Sequence, residues 1–291
     1  MKVFVTGGTG SIGLPVVQNL LSHGYEVLAL ARSERSVRLL KKAGAVVIDG
    51  DLRRPKDWLA QIGEIDVIVH LGLEFSPEDG EIDKGFLSAL IESRSGQKPL
   101  RFIMTGGCWI YGNTGDHKAQ EGEGFDESEA WDWWAQSLEL ANSALELETI
   151  VIHPAMVWSK DGNCFGMLDD IRSGGPVRVH ENADHRWTLV NDEDLSDLYR
   201  LVLEQGQPGE EYNAAGEEGV CLGDLARELC KNHNHHSWLD VVAIADTVRE
   251  QGEWAEGFGL DQQMSSEKAR RELGWKPKSC DISSFFSSRH E

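Results

Sequence analysis

A short apolar strand, Lys2 to Val5, runs directly into Thr6-Gly-Gly-Thr-Gly-Ser-Ile-Gly13, and this junction restricts the fold more than any other stretch of the chain. Gly7 permits a sharp turn out of the strand. Gly10 lacks the side chain that would hold a pyrophosphate off the backbone, and Gly13 lets the next helix lie close to the sheet. That helix, Ile12 to Ser22 with Gly24 beyond it, turns free N–H groups and a positive dipole end toward an anion. A strand-to-helix turn with no ligand would use the same glycines, but the strand before them and the amphipathic helix after them favour a dinucleotide site.

Composition narrows the class. A chain of 291 residues with 40% apolar content can bury one large core, or one domain plus a smaller lobe. No apolar run approaches the roughly 18 residues of a membrane span, and no basic-then-apolar signal segment opens the chain, so a soluble, cytoplasmic protein is expected. The five cysteines (108, 164, 221, 230 and 280) are scattered and lack a C-x-x-C pair, so neither disulfides nor structural zinc is expected. The cluster His233-Asn-His-His236 lacks helical ligand spacing and carboxylate partners, and no metal is assigned to it. A net charge of −21 opposes nucleic acid and anionic membrane surfaces, leaving a small molecule as partner for a monomer or homodimer.

Strand and helix signals alternate through the first half, which predicts a doubly wound parallel α/β sheet. The strands fall at Glu26–Ala31, 45–48, 65–71, Leu100–Thr105 and 149–153. Helices are expected from the Ser33 cap to Ala43, over 82–92, and over about 127–147. A Rossmann lobe over 1–155 is expected, its sheet completed by 186–205, with 156–291 mainly forming a smaller, interleaved α+β substrate lobe.

The end of the second strand bears on the cofactor. An Asp or Glu there would accept from ribose hydroxyls, whereas this chain has Arg32, Ser33 and Arg35, suited to the 2′-phosphate of NADP. NAD is the less favoured alternative. The full cofactor set is Gly7, Thr9, Gly10, Ser11, Ile12, Gly13, Arg32, Ser33, Arg35, Asp51, Leu52, Leu71, Gly72, Thr105 and Pro154.

Six motifs together carry a resemblance: Thr6 to Gly13, Gly50-Asp-Leu52, Val69-His-Leu71, Ile110-Tyr-Gly112, His153-Pro-Ala155 and Glu272-Leu-Gly-Trp-Lys-Pro277. Over nearly its whole length the chain resembles the extended short-chain dehydrogenase/reductase superfamily, the NAD-dependent epimerase/dehydratase group. The resemblance implies a Rossmann lobe with substrate held against a smaller C-terminal lobe. It also implies a Ser, and a Tyr with a Lys four residues later, as catalytic groups. Here the matching positions hold Gly107, Trp131 and Ala135, so the chain is similar to atypical members of the superfamily that lack this triad.

Replacement chemistry has few candidates. Tyr111 and His153 could supply a proton and Cys108 a thiol, although each has an ordinary structural reading: a fold tyrosine, a bonded histidine and a buried cysteine. Glu74, Gly107, Trp109, Trp131 and Trp134 are the candidate substrate-cleft residues. The stripe Trp131, Trp134, Leu138, Ala141 and Leu145 serves either a core or an aromatic site. The functional expectation is an NADP(H)-dependent oxidoreductase with a non-canonical site, acting on a small, rather apolar carbonyl or activated alkene. The alternatives are a non-catalytic NADP redox sensor and a cofactor-retaining isomerase or cyclase.

Overall fold

The structure, a computed structural model, describes residues 1–126, 130–160, 165–236, 239–279 and 281–282. In chain order its first elements are β1 Lys2–Thr6, α1 Gly13–Ser22, β2 Glu26–Ala31, α2 Glu34–Ala43, β3 Val46–Asp49, β4 Val67–His70 and α3 Asp79–Arg94. Then come β5 Leu100–Thr105, α4 Asp132–Ser143, β6 Leu147–Pro154, β7 Met156–Trp158, α5 Met167–Ser173, β8 Val177–His180 and β9 Arg186–Asn191. The remainder are α6 Asp192–Gln205, β10 Glu211–Ala214, β11 Glu217–Cys221, α7 Leu222–Asn232, β12 Leu239–Val242, α8 Ile244–Gln251 and α9 Glu267–Leu273.

Contacts divide the chain into two units, each assembled from three segments. The first takes residues 1–106, 131–152 and 195–212. Its seven-stranded parallel sheet has the order β10-β6-β5-β4-β1-β2-β3. Continuous apolar runs make these strands because both faces are covered by helices: Val3, Phe4, Val5, Ile68, Val69, Phe102 and Ile103 are all fully buried. Each such side chain contributes about 1.5–3 kcal/mol by leaving water. Local signals set the helix ends. Ser33 Oγ accepts from Ser36 N at 3.2 Å to start α2, and Gly44, at φ 102, ends it. Strand order reverses between β1 and β4, so a crevice opens beyond the carboxyl ends of those two strands.

One strand differs from expectation. Residues 186–191 do not complete this sheet; they form β9, which sits between β11 and β7 in a three-stranded sheet, and β10 is the seventh strand. The reason is pairing. Val151 N donates to Glu210 O and Gly209 N to Thr149 O, which carries the 209–214 segment alongside β6.

Helix α4 is also shorter than its periodicity predicts. It ends at Ser143, and Leu145, past that end, is 88% exposed, so the buried stripe reduces to Trp134, Leu138 and Ala141. The expected start at Glu127 lies outside the described residues.

The second unit takes residues 107–130, 153–194 and 213–291. It contains the three-stranded sheet and the pair β12-β8. Its core gathers Trp158, Met167, Leu168, Val177, Trp187, Leu189, Leu222, Leu225 and Leu229. Among the described residues no helix is long and apolar enough to cross a membrane.

Candidate functional site

The crevice of the first unit is built around the glycines. A Cβ on Gly13 would stand 2.1 Å from Gly7 O, and one on Gly7, itself at φ 66, would stand 2.3 Å from Leu71 O. Both positions are therefore reserved for glycine by the protein's own backbone. Gly10 is different: it is exposed, and a Cβ there would meet only Gly7 O at 3.4 Å. The protein's own backbone therefore does not require glycine at this position, which lines the crevice. No side chain caps α1 and no acidic residue stands in its first turn, which keeps that helix end available to an anion. These features fit a dinucleotide pyrophosphate.

The crevice has a volume of about 500 Å³. Of the residues expected to hold the cofactor, it brings together Gly7, Thr9, Gly10, Arg32, Ser33, Arg35, Asp51, Leu52, Leu71 and Gly72. Ser11, Ile12, Gly13, Thr105 and Pro154 lie off its lining. Gly13 acts by allowing the backbone approach described above. Thr105 is occupied otherwise: its Oγ1 is 2.7 Å from Tyr199 Oη, and its carbonyl accepts from Trp134 Nε1 at 3.0 Å. Asp51 is positioned by Trp58, a fully buried indole that stacks with Phe86 and donates to Asp51 O at 2.8 Å.

Glu74, expected beside the substrate, instead lines this crevice and joins two arginines. Arg53 grips it with Nη1 to Oε1 at 3.1 Å and Nη2 to Oε2 at 2.5 Å, and Arg32 pairs with the same carboxylate through Nη1. The loop carrying Glu74 is held by Asp79, which accepts from Glu74 N at 3.3 Å and Ser76 N at 2.8 Å. Burial holds the Asp79 carboxyl above the usual carboxylate range despite those bonds.

A buried polar relay supports the crevice floor. Thr6 Oγ1 accepts from Leu71 N at 3.1 Å and Gly72 N at 3.2 Å, and lies 2.7 Å from His70 Nδ1. The opposite nitrogen, His70 Nε2, lies 2.6 Å from Asp83 Oδ1. Asp83 lines the crevice, as does Trp133. Sequence reading missed Thr6, His70, Asp83, Asp79, Arg53 and Trp133. Two acidic residues at i and i+4 on an otherwise apolar helix face were the available signal for Asp79 and Asp83.

Of the remaining candidates, Gly107, Cys108, Trp109, Tyr111 and His153 fall in the second unit. Cys108 is buried, and burial pushes its thiol up to about 12, so it is not a nucleophile at neutral pH. Tyr111 Oη donates to Asn213 Oδ1 at 2.8 Å, and Asn213 N donates to Glu121 Oε1 at 2.7 Å. Glu121 is raised above the ordinary carboxylate range, chiefly by burial. His153 is fully buried, its ring 5.7 Å from that of Tyr111 and 5.9 Å from that of Phe125. Trp109 packs against Trp254 and Phe258, where a Cβ on Gly257 would strike its ring. In the first unit Trp134 is a core anchor, Trp131 immediately precedes α4, and Gly107 of the second unit immediately precedes the turn Cys108–Tyr111.

Comparison with known proteins agrees with this geometry. Residues 7–167 match the family described as NAD(P)H-binding. An uncharacterized protein of Saccharomyces cerevisiae, YLL056C, is 30% identical across 96% of this chain and 95% of its own length. The sterol-4-alpha-carboxylate 3-dehydrogenase, decarboxylating, of Dictyostelium discoideum is 25% identical across 75% of this chain and 72% of its own. Among solved structures, dTDP-glucose 4,6-dehydratase from Bacillus anthracis, in complex with NAD, superposes with a TM-score of 0.82 at 17% identity, covering 99% of this chain and 94% of that one. The feature shared with that structure is the fold.

Proposed function

This chain belongs to the NAD(P)H-binding family, and from that premise we propose that it is an NADP(H)-dependent oxidoreductase acting on a small, rather apolar carbonyl or activated-alkene compound. The observation that carries the reading is the crevice itself, which Gly7, Thr9 and Gly10 of the glycine turn line together with Arg32, Ser33 and Arg35.

Within it, Gly7, Gly10 and Thr9 would hold the pyrophosphate, and Asp51 with Leu52 would flank the adenine. Arg32, Ser33 and Arg35 would take the 2′-phosphate. When bound, the cofactor supplies the hydride. Protonation of the substrate falls to water. The apolar character of the substrate is supported by the sterol-directed name of one relative.

The test is titration of the purified protein with NADPH and NADH. NADPH should bind about tenfold or more tightly, and Arg32→Asp should reverse the order. Equal affinities in the wild type would remove the NADP assignment. Incubation with NADPH deuterated at C4 and a carbonyl library separates catalysis from sensing, since label must appear in a product if hydride leaves. A cofactor that binds tightly and never transfers label would instead support a non-catalytic redox sensor.

A further inference from the structure

Resting on the reading of this crevice as an NADP site, we infer that Glu74 is a resident counter-anion for the 2′-phosphate pocket, and that the phosphate is read by two arginines, Arg32 and Arg53, which Glu74 links until it is displaced. The geometry is that of phosphate recognition with a carboxylate in the phosphate's place. One guanidinium holds both oxygens of Glu74, and a second guanidinium, from the end of β2, holds one of them. Arg32 and Arg53 are 21 positions apart in the chain and share Glu74 as a partner, and Arg53 also stands 3.7 Å from Asp51 Oδ1.

Three features make the carboxylate displaceable rather than structural. First, the side chains of Arg32, Arg53 and Glu74 are 52%, 41% and 28% exposed, so water and salt screen the pairs and exchanging them costs little. Second, the loop is anchored elsewhere: the Asp79 carboxylate takes the backbone N–H groups of Glu74 and Ser76 and would keep them with Glu74 swung away. Third, Phe75, next to Glu74, sits at φ 57, a conformation that side-chain-bearing residues rarely hold, so the backbone beside Glu74 is strained. A dianionic phosphate offers two guanidinium groups more charge and more acceptor atoms than a carboxylate, so it wins the exchange, whereas a ligand ending in bare ribose hydroxyls leaves Glu74 in place. Glu74 therefore lowers affinity for phosphorylated ligands and offsets part of the arginines' charge when none is bound.

The test is calorimetric binding of adenosine 2′,5′-bisphosphate and of 5′-AMP to the wild type and to Glu74→Gln, Glu74→Ala and Arg53→Gln, with thermal unfolding as a check on folding. Removing the charge at Glu74 should tighten the bisphosphate about five- to tenfold and leave 5′-AMP unchanged, while Arg53→Gln should loosen the bisphosphate about tenfold. If the wild type prefers the bisphosphate but both Glu74 variants bind it no more tightly, the counter-anion is overturned and the NADP reading stands. If the wild type shows no preference and the Glu74 variants acquire one, the counter-anion stands and the NADP reading falls. Absence of preference in every protein overturns both.

Discussion

Thr6 and His70 are joined side chain to side chain across neighbouring strands, Oγ1 to Nδ1 at 2.7 Å, where β1 and β4 pair in register. The direction of the bond follows from counting. The Thr6 oxygen already accepts from Leu71 N and Gly72 N, so its own proton goes to Nδ1, and His70 carries its ring proton on Nε2, where it donates to Asp83. The crevice floor is thus held by a chain of hydrogen bonds as well as by packing.

His70→Phe should therefore be costly although it keeps an aromatic ring between Phe86 and Phe102. It strips Asp83 of its donor and Thr6 of its acceptor inside the core, a loss of about 2–4 kcal/mol. Asp83→Asn retains an acceptor oxygen for Nε2–H and should cost about 1 kcal/mol or less. Urea unfolding of the two variants checks the difference, and comparable losses would refute the relay.

The glycines should separate fold from binding. Gly13→Ala places a methyl against Gly7 O and should cost about 1–3 kcal/mol of stability. Gly10→Ala meets no such obstacle, so its melting temperature should stay near wild type while dinucleotide affinity drops about tenfold or more. Thermal unfolding and cofactor titration on the same two proteins decide the matter.

Cys108 should be silent toward alkylating reagents in the native protein. With its thiol at about 12, mild alkaline conditions that ionise an ordinary cysteine leave it protonated. Peptide mapping after iodoacetamide treatment should find it unmodified when folded and labelled once denatured. Cys108→Ala should leave cofactor affinity unchanged.

Glu217 supplies a pH signature. Burial is the main cause raising its carboxyl from 4.5 to about 7, with Asp281 adding repulsion. The folded state therefore favours the protonated acid, so its contribution is intact below about pH 4.5 and is lost as the pH climbs through about 7. Glu217→Gln mimics the neutral acid. Its stability should match wild type in acid and exceed it above neutrality, which chemical unfolding at the two pH extremes would show.

Much of the crevice could be read from local pattern. The strand, the three glycines and the helix after them occupy consecutive positions, so one short window carries their geometry. The same holds for Arg32 at a strand end and for Ser33 as a cap. Glu74 could not be placed this way. Its position on a loop at the carboxyl edge was legible, but which charges it would face depends on β4 lying beside β1 and on the turn at Asp51 reaching the same edge.

The sequence by itself determined the alternation of strands and helices and the glycine turn between the first strand and helix, because periodicity, caps and turn residues act over a few positions. Only the tertiary structure decided that residues 211–214 rather than 186–191 join the sheet, that Cys108 is buried beyond reach of base, and that Arg32, Arg53 and Glu74 meet. Those outcomes depend on strand order, on burial and on side chains brought together from distant parts of the chain, and no local pattern encodes them.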